Sequence, residues 1–290
     1  MLALGACSTA APAQQGDDAS AALDAAALGD VVLDAPCSAP VADRPEGGTC
    51  VLGATGSVTD LTGAPLGGLV MTVCGSECFG TKSDATGHFA VGVGMFLATE
   101  NYAVHADGRP DHAVDYLRLG PDAPSVIEVT MRLPLLPAST VQLPADGAAA
   151  SSITQGDLTL LVPDGTKFDL DIEDYGTTVG RTLRVAAVSL ADAPPYASSA
   201  HVAAIYALAP SSAKPSKPLG VRLINSAKLP ASAAVELLVL GDDYFSLPPS
   251  VGVLSVAAAA HVSTDGATIA TDSGEGISEL TWLGVRLKGN

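Results

Sequence analysis

The sequence predicts an all-β protein: two β-sandwich domains behind a disordered N-terminal tether. Three observations carry that expectation. From Thr49 onward, short apolar runs alternate with turn dipeptides, which is the texture of stacked short strands. Apolar residues make up 48% of the chain but aromatics only 4%, so the cores must be built from Val, Leu and Ala, with turns supplied by 30 Gly and 20 Pro. A proline-rich stretch, 134–144, follows the last cysteine and divides the 290 residues into parts that each have enough chain to bury a core.

The first element is the tether, residues 1–48. Leu4-Gly5-Ala6-Cys7 is similar to a bacterial lipobox, in which small residues admit the signal peptidase and the cysteine accepts the lipid. That likeness implies Cys7 as the lipid anchor, behind a clipped signal peptide too short for the usual basic and apolar regions. The competing reading is a chance Ala-Cys near an arbitrary terminus. From Ser8 to Asp34 the chain is rich in Ala, Ser, Gln, Pro and Asp with no Lys or Arg, a composition suited to a solvated spacer.

Cys37, Cys50, Cys74 and Cys78 remain, an even number, and in an exported protein this argues for two disulfides. The favoured pairing closes a turn with Cys74 and Cys78 and pins the tether to the domain with Cys37 and Cys50. Placing Cys50 beside Cys74 or Cys78 is the open alternative. A zinc site would need further soft ligands, and a redox pair would need Cys-x-x-Cys at a helix start.

In the first domain, 49–134, strands are expected at Val51–Thr59, Leu69–Val73, His88–Val93, Tyr102–Ala106, Val114–Leu119 and Val126–Leu133. Phe89, Val91 and Val93 alternate onto one face, as do Ile127, Val129 and Met131. The runs GSVTDLTGAPLGGLVMTV, TKSDATGHFAV and NYAVHADG resemble the carboxypeptidase regulatory-like domain, a transthyretin-like sandwich, over about residues 50–133. The motifs behind the resemblance are the Asp60–Leu66 corner, the Ser83–Phe89 turn and Tyr102 ahead of Ala106-Asp107-Gly108. In peptidases this fold is an accessory, so the resemblance implies no catalytic residues.

Residues 135–149 read as a linker, followed by a second sandwich over 150–290. Strands are expected at Leu158–Val162, Thr166–Ile172, Thr182–Leu190, His201–Leu208, Leu219–Ile224, Val235–Leu240, Val251–Ala257 and Leu280–Leu287. The runs LTLLVPDGTKFDLDI and AIYALAPSSAKPSKPLGVRLIN, with Tyr206 to Pro210 and Lys217-Pro218, resemble bacterial relatives of the ZU domain. The chain departs from that pattern after the Pro-Asp-Gly hairpin, at Asp171 to Tyr175.

No motif for catalysis or cofactor binding is present. His-x-x-Glu, His-Glu-x-x-His, Gly-x-Ser-x-Gly and a phosphate-cradling glycine loop are all missing. A net charge of −17 opposes nucleic acid and anionic membrane surfaces. The run from His105 to His112 gathers two His and two Asp, but Arg109 inside it opposes a cation. Asp169, Asp171 and Glu173 alternate with Phe168, Leu170 and Ile172, so the carboxylates are expected on the outer face of one strand, near Asp174. Calcium is the alternative to a solvated, pairing-resistant edge there. Trp282, the only Trp, is expected in the core.

The function expected is that of an exported, lipid-anchored protein of the bacterial cell envelope, at the outer membrane or cell surface. Its role is structural or binding, without catalysis, metal or cofactor, and its partner is a protein or glycan. The membrane is engaged only through the lipid, and nucleic acid is excluded. An accessory subunit of a secreted hydrolase and a calcium-dependent adhesive module are the alternatives.

Overall fold

The computed structural model describes residues 48–172, 179–242 and 250–289, together with Cys37, Asp174 and Thr177. It is almost entirely β. Cys7 and Glu173 lie outside the described residues, as does the rest of the tether apart from Cys37 and Gly48.

The first sandwich has strands β1 (Thr49–Asp60), β2 (Val70–Cys74), β3 (Cys78–Lys82), β4 (His88–Leu97), β5 (Ala103–Asp107), β6 (Val114–Arg118) and β7 (Val126–Leu133). One sheet has the order β4-β1-β7, with β1 and β7 parallel, and the other has the order β3-β2-β5-β6. Val51, Val58, Met71, Phe89, Val91, Val104 and Met131 fill the space between them. The two Asp-x-Thr-Gly turns are built alike. Asp60 Oδ1 accepts from the Thr62 and Ala64 N–H groups, and Asp84 Oδ1 accepts from those of Thr86 and His88. Gly87, at φ +78°, supplies the left-handed residue where its neighbour, the Val58 carbonyl, leaves no room for a Cβ.

Residues 78–82, where the sequence reading places no strand, form β3. Their side chains do not alternate in hydrophobicity because β3 is an edge strand, exposed or half-buried throughout. Cys74 and Cys78 face each other across the β2–β3 hairpin with Cα atoms 4.1 Å apart, and Cys37 and Cys50 are paired at 5.8 Å.

The second unit contains β8 (Ser151–Gln155), β9 (Leu158–Val162), β10 (Phe168–Asp169), β11 (Arg184–Val188), a short helix α1 (Pro195–Ser199), β12 (Ala204–Ala209), β13 (Lys214–Pro215), β14 (Gly220–Ile224), β15 (Ala234–Leu240), β16 (Leu254–Val262), β17 (Thr268–Thr271) and β18 (Trp282–Leu287). Nine of these strands form one sheet, in the order β11-β12-β18-β15-β16-β17-β14-β9-β8, which curls around a single core that includes Leu160, Leu208, Leu223, Leu237, Val262 and Leu283. β10 and β13 pair separately.

The stretch read as a linker is built into both units. Leu136 is buried with its N–H on the Asp111 carbonyl, and Leu143 is buried in the core of the second unit. Hydrogen bonds from 141–143 to Arg181 and Leu183, and from Ser139 to Gln155, place this segment between the two edge strands β11 and β8.

The strand expected at Thr166–Ile172 is limited to Phe168–Asp169. Phe168 and Leu170 are buried as expected, but Ile172 is 80% exposed and Asp174 is buried, so the alternation breaks after Leu170. The chain turns there to bring its carboxylates against the first sandwich.

Candidate functional site

The outer face of β5 and β6 is not solvated. Ala103, Val114 and Tyr116 pack with Ala186, Ile205, Ala207, Leu238 and Trp282 from the outer face of the nine-stranded sheet, and with Tyr196 of α1. The two units therefore share a third apolar core. Trp282 lies in this shared core, not inside one sandwich. Its Nε1 donates to the Val114 carbonyl at 2.8 Å, and its ring meets Tyr196 edge-on at 6.1 Å.

One side of this junction is charged. Arg109 forms a bidentate pair with Asp107 (2.9 and 2.6 Å) and reaches Asp171 at 3.2 Å and Asp174 at 3.5 Å. Burial opposes the charge on Arg109, but the Asp107 hydrogen bonds and the three carboxylates raise its pKa nonetheless. Burial raises the Asp174 carboxyl against the pull of Arg109. Arg184 donates to the Pro110 carbonyl across the same boundary. Of the four residues considered for calcium, Asp171 and Asp174 face the Arg109 guanidinium, Asp169 is exposed on β10, and Glu173 lies outside the described residues. Of the His105–His112 run, His105 stacks on Tyr116 with centroids 4.5 Å apart, and its pKa is lowered to about 4 by burial, so it is neutral at pH 7.

Nearby, Asp242 and Glu279 are buried, and Lys214 lies 3.6 Å from each. Burial and the hydrogen bond and charge of Asp242 push the Glu279 carboxyl far up, against Lys214. Glu279 is therefore held protonated at neutral pH.

The other side of the junction is a cleft of about 270 Å³ between edge strands β6 and β7, walled by 192–195 of the second unit. Leu117, Met131, Ala193, Pro194 and Pro195 line it, with Arg132 and Asp192 paired at 3.0 Å. Asp115 lies at its inner end, 4% exposed. Its Oδ1 accepts from the Tyr196 hydroxyl at 2.6 Å and from the Tyr116 N–H at 2.9 Å. Burial raises its pKa to about 6, and those hydrogen bonds oppose the rise.

Sequence reasoning met Asp115 only in His112-Ala113-Val114-Asp115, the nearest approach to His-x-x-Glu, and did not single out Tyr196, Lys214, Asp242 or Glu279. A charged residue at an alternating strand position reads as solvent-facing, and nothing local indicates that a second domain covers it. Among the described residues, no group of three or more His, Cys, Asp or Glu is placed to hold a metal ion, and no helix is long and apolar enough to cross a membrane. No known protein family, curated protein or solved structure matches the chain.

Proposed function

We propose that this protein is an exported, lipid-anchored binding module of the bacterial cell envelope, with a structural or interaction role and no catalysis of its own. The observation that carries the reading is the junction. A shared apolar core and the buried Arg109 seam join two β units into one body, which suits holding loops at fixed orientation outside the cell. The two cysteine pairs at bonding distance suit an oxidising compartment. The lipobox likeness at Cys7 supplies the anchor, and the acidic spacer behind it supplies the reach. The likeness of the first sandwich to carboxypeptidase regulatory-like domains and of the second to ZU-type domains belongs to this proposal.

The test is expression of the full gene in its bacterium with a labelled fatty acid, followed by pull-down from the cell envelope. Label on the protein that disappears in Cys7→Ser, and a recovered envelope protein or glycan, are expected. An unlabelled protein would overturn the anchor, and recovery of no partner would overturn the binding role. A hydrolase as the recovered partner would make the protein its accessory subunit. A melting temperature and cell binding that respond to calcium would make it a calcium-dependent adhesive module.

A further inference from the structure

The cleft beside Asp115 has the attributes of a small-ligand site: concave and mostly apolar, with a buried carboxylate among its lining residues. Its volume, about 270 Å³, holds on the order of nine waters at ~30 Å³ each, enough for a short alkyl chain and a head group. Leu117, Met131, Ala193, Pro194 and Pro195 give such a chain apolar walls, and Thr130 lines the cleft at an exposed position. At the rim, Arg132 and Asp192 neutralise one another, and Arg132 also donates to the Leu61 carbonyl. That leaves Asp115 as the uncancelled charge among the lining residues.

The two Asp115 oxygens differ. Oδ1 is committed to Tyr196 and Tyr116. Oδ2 takes no hydrogen bond among the described residues, and Asp115 is one of the residues lining the cleft. A carboxylate that is 4% exposed, with one oxygen unpartnered beside an apolar slot, selects a donor that also carries positive charge.

We propose that this cleft binds a primary ammonium carried on a short apolar chain, with Asp115 Oδ2 receiving the ammonium and the β6–β7 wall taking the chain. The inference is independent of where the protein resides. Each methylene buried contributes about fourfold in affinity, and the charge-assisted hydrogen bond about tenfold or more.

The test uses n-butylammonium as probe, with n-butanol and butyrate as neutral and anionic molecules of the same body. Amide shifts of the full chain are followed at pH 7.5 and constant ionic strength. Saturable shifts at Leu117, Met131 and Ala193 are expected with butylammonium, with butanol about tenfold weaker and butyrate silent. Asp115→Asn keeps an acceptor for Tyr196 and should weaken butylammonium about tenfold while leaving butanol unchanged. Thr130→Phe, at an exposed rim position, should block both probes without changing the melting temperature, which keeps the test valid should Asp115→Asn misfold. Equal affinity for butanol and butylammonium, undiminished binding in Asp115→Asn, or shifts confined to other residues would each overturn the proposal.

Discussion

Asp115→Asn is expected to make the protein more stable at neutral pH, and the structure sets how much. The Asp115 carboxyl has a folded pKa of about 6, against 3.8 in the unfolded chain, because burial disfavours its charge. An acid whose pKa is raised on folding binds more protons in the folded state across that window. Stability therefore falls as pH rises from 3.8 to about 6 and stays lowered above it. The gap, at ~1.36 kcal/mol per pH unit, corresponds to about 3 kcal/mol. Asparagine mimics the uncharged form and still accepts from Tyr196 and from the Tyr116 N–H. The variant should match wild type near pH 4 and exceed it by about 3 kcal/mol at pH 7.5. Urea denaturation monitored by the fluorescence of Trp282, 2% exposed and the only Trp, reads this directly. A variant less stable than wild type at pH 7.5, or a difference that is the same at both pH values, would refute the reasoning. A gain in stability with a loss of ammonium binding is the pattern of a residue kept for its ligand.

Arg109→Met strands Asp107, Asp171 and Asp174 at the junction and should cost about 3 kcal/mol at pH 7, less at pH 4 where those carboxyls take up protons, as read from urea midpoints at both pH values. Gly56→Ala would drive a Cβ into the Val129 backbone carbonyl of the parallel neighbour β7, with an expected loss of more than about 3 kcal/mol. Gly63→Ala meets no atom within 4 Å and carries only the strain of φ +87°, about 1 kcal/mol, so thermal melts should rank the two variants in that order. Glu279 has a raised folded pKa, so its contribution declines as pH rises from its unfolded value of 4.5. Glu279→Gln should flatten that decline, and an unchanged slope of urea midpoint against pH between 5 and 9 would count against the raised Glu279 carboxyl.

Much of the fold was legible because its signals are local. Val126–Leu133 was bounded correctly from alternation alone, since Ile127, Val129 and Met131 face a core while Glu128 and Thr130 face water. Both Asp-x-Thr-Gly turns could be read because aspartate closes them on its own neighbours. β3, β8, β13 and β17 escaped notice. β3 and β8 are edge strands with little apolar patterning, β13 spans only Lys214–Pro215, and β17 is a short run in which Ile269 alone is fully buried. The Thr166–Ile172 strand was overextended because its alternating carboxylates imitate a half-buried strand, whereas Arg109, far away in sequence, pulls Asp171 and Asp174 out of that register.

Sequence alone determined what depends on neighbouring residues: the β class, the turns and a cysteine arrangement suited to a stapled hairpin. Only tertiary structure decided that β5 and β6 are buried on both faces, that Trp282 joins two units, and that Asp115 sits at the end of a cleft. Period-two patterning reports which side of a strand is apolar. It says nothing of what will pack against the other side. The environment of Asp115 is assembled from β6, β7, the 192–195 turn and α1, segments that meet only when both units have folded.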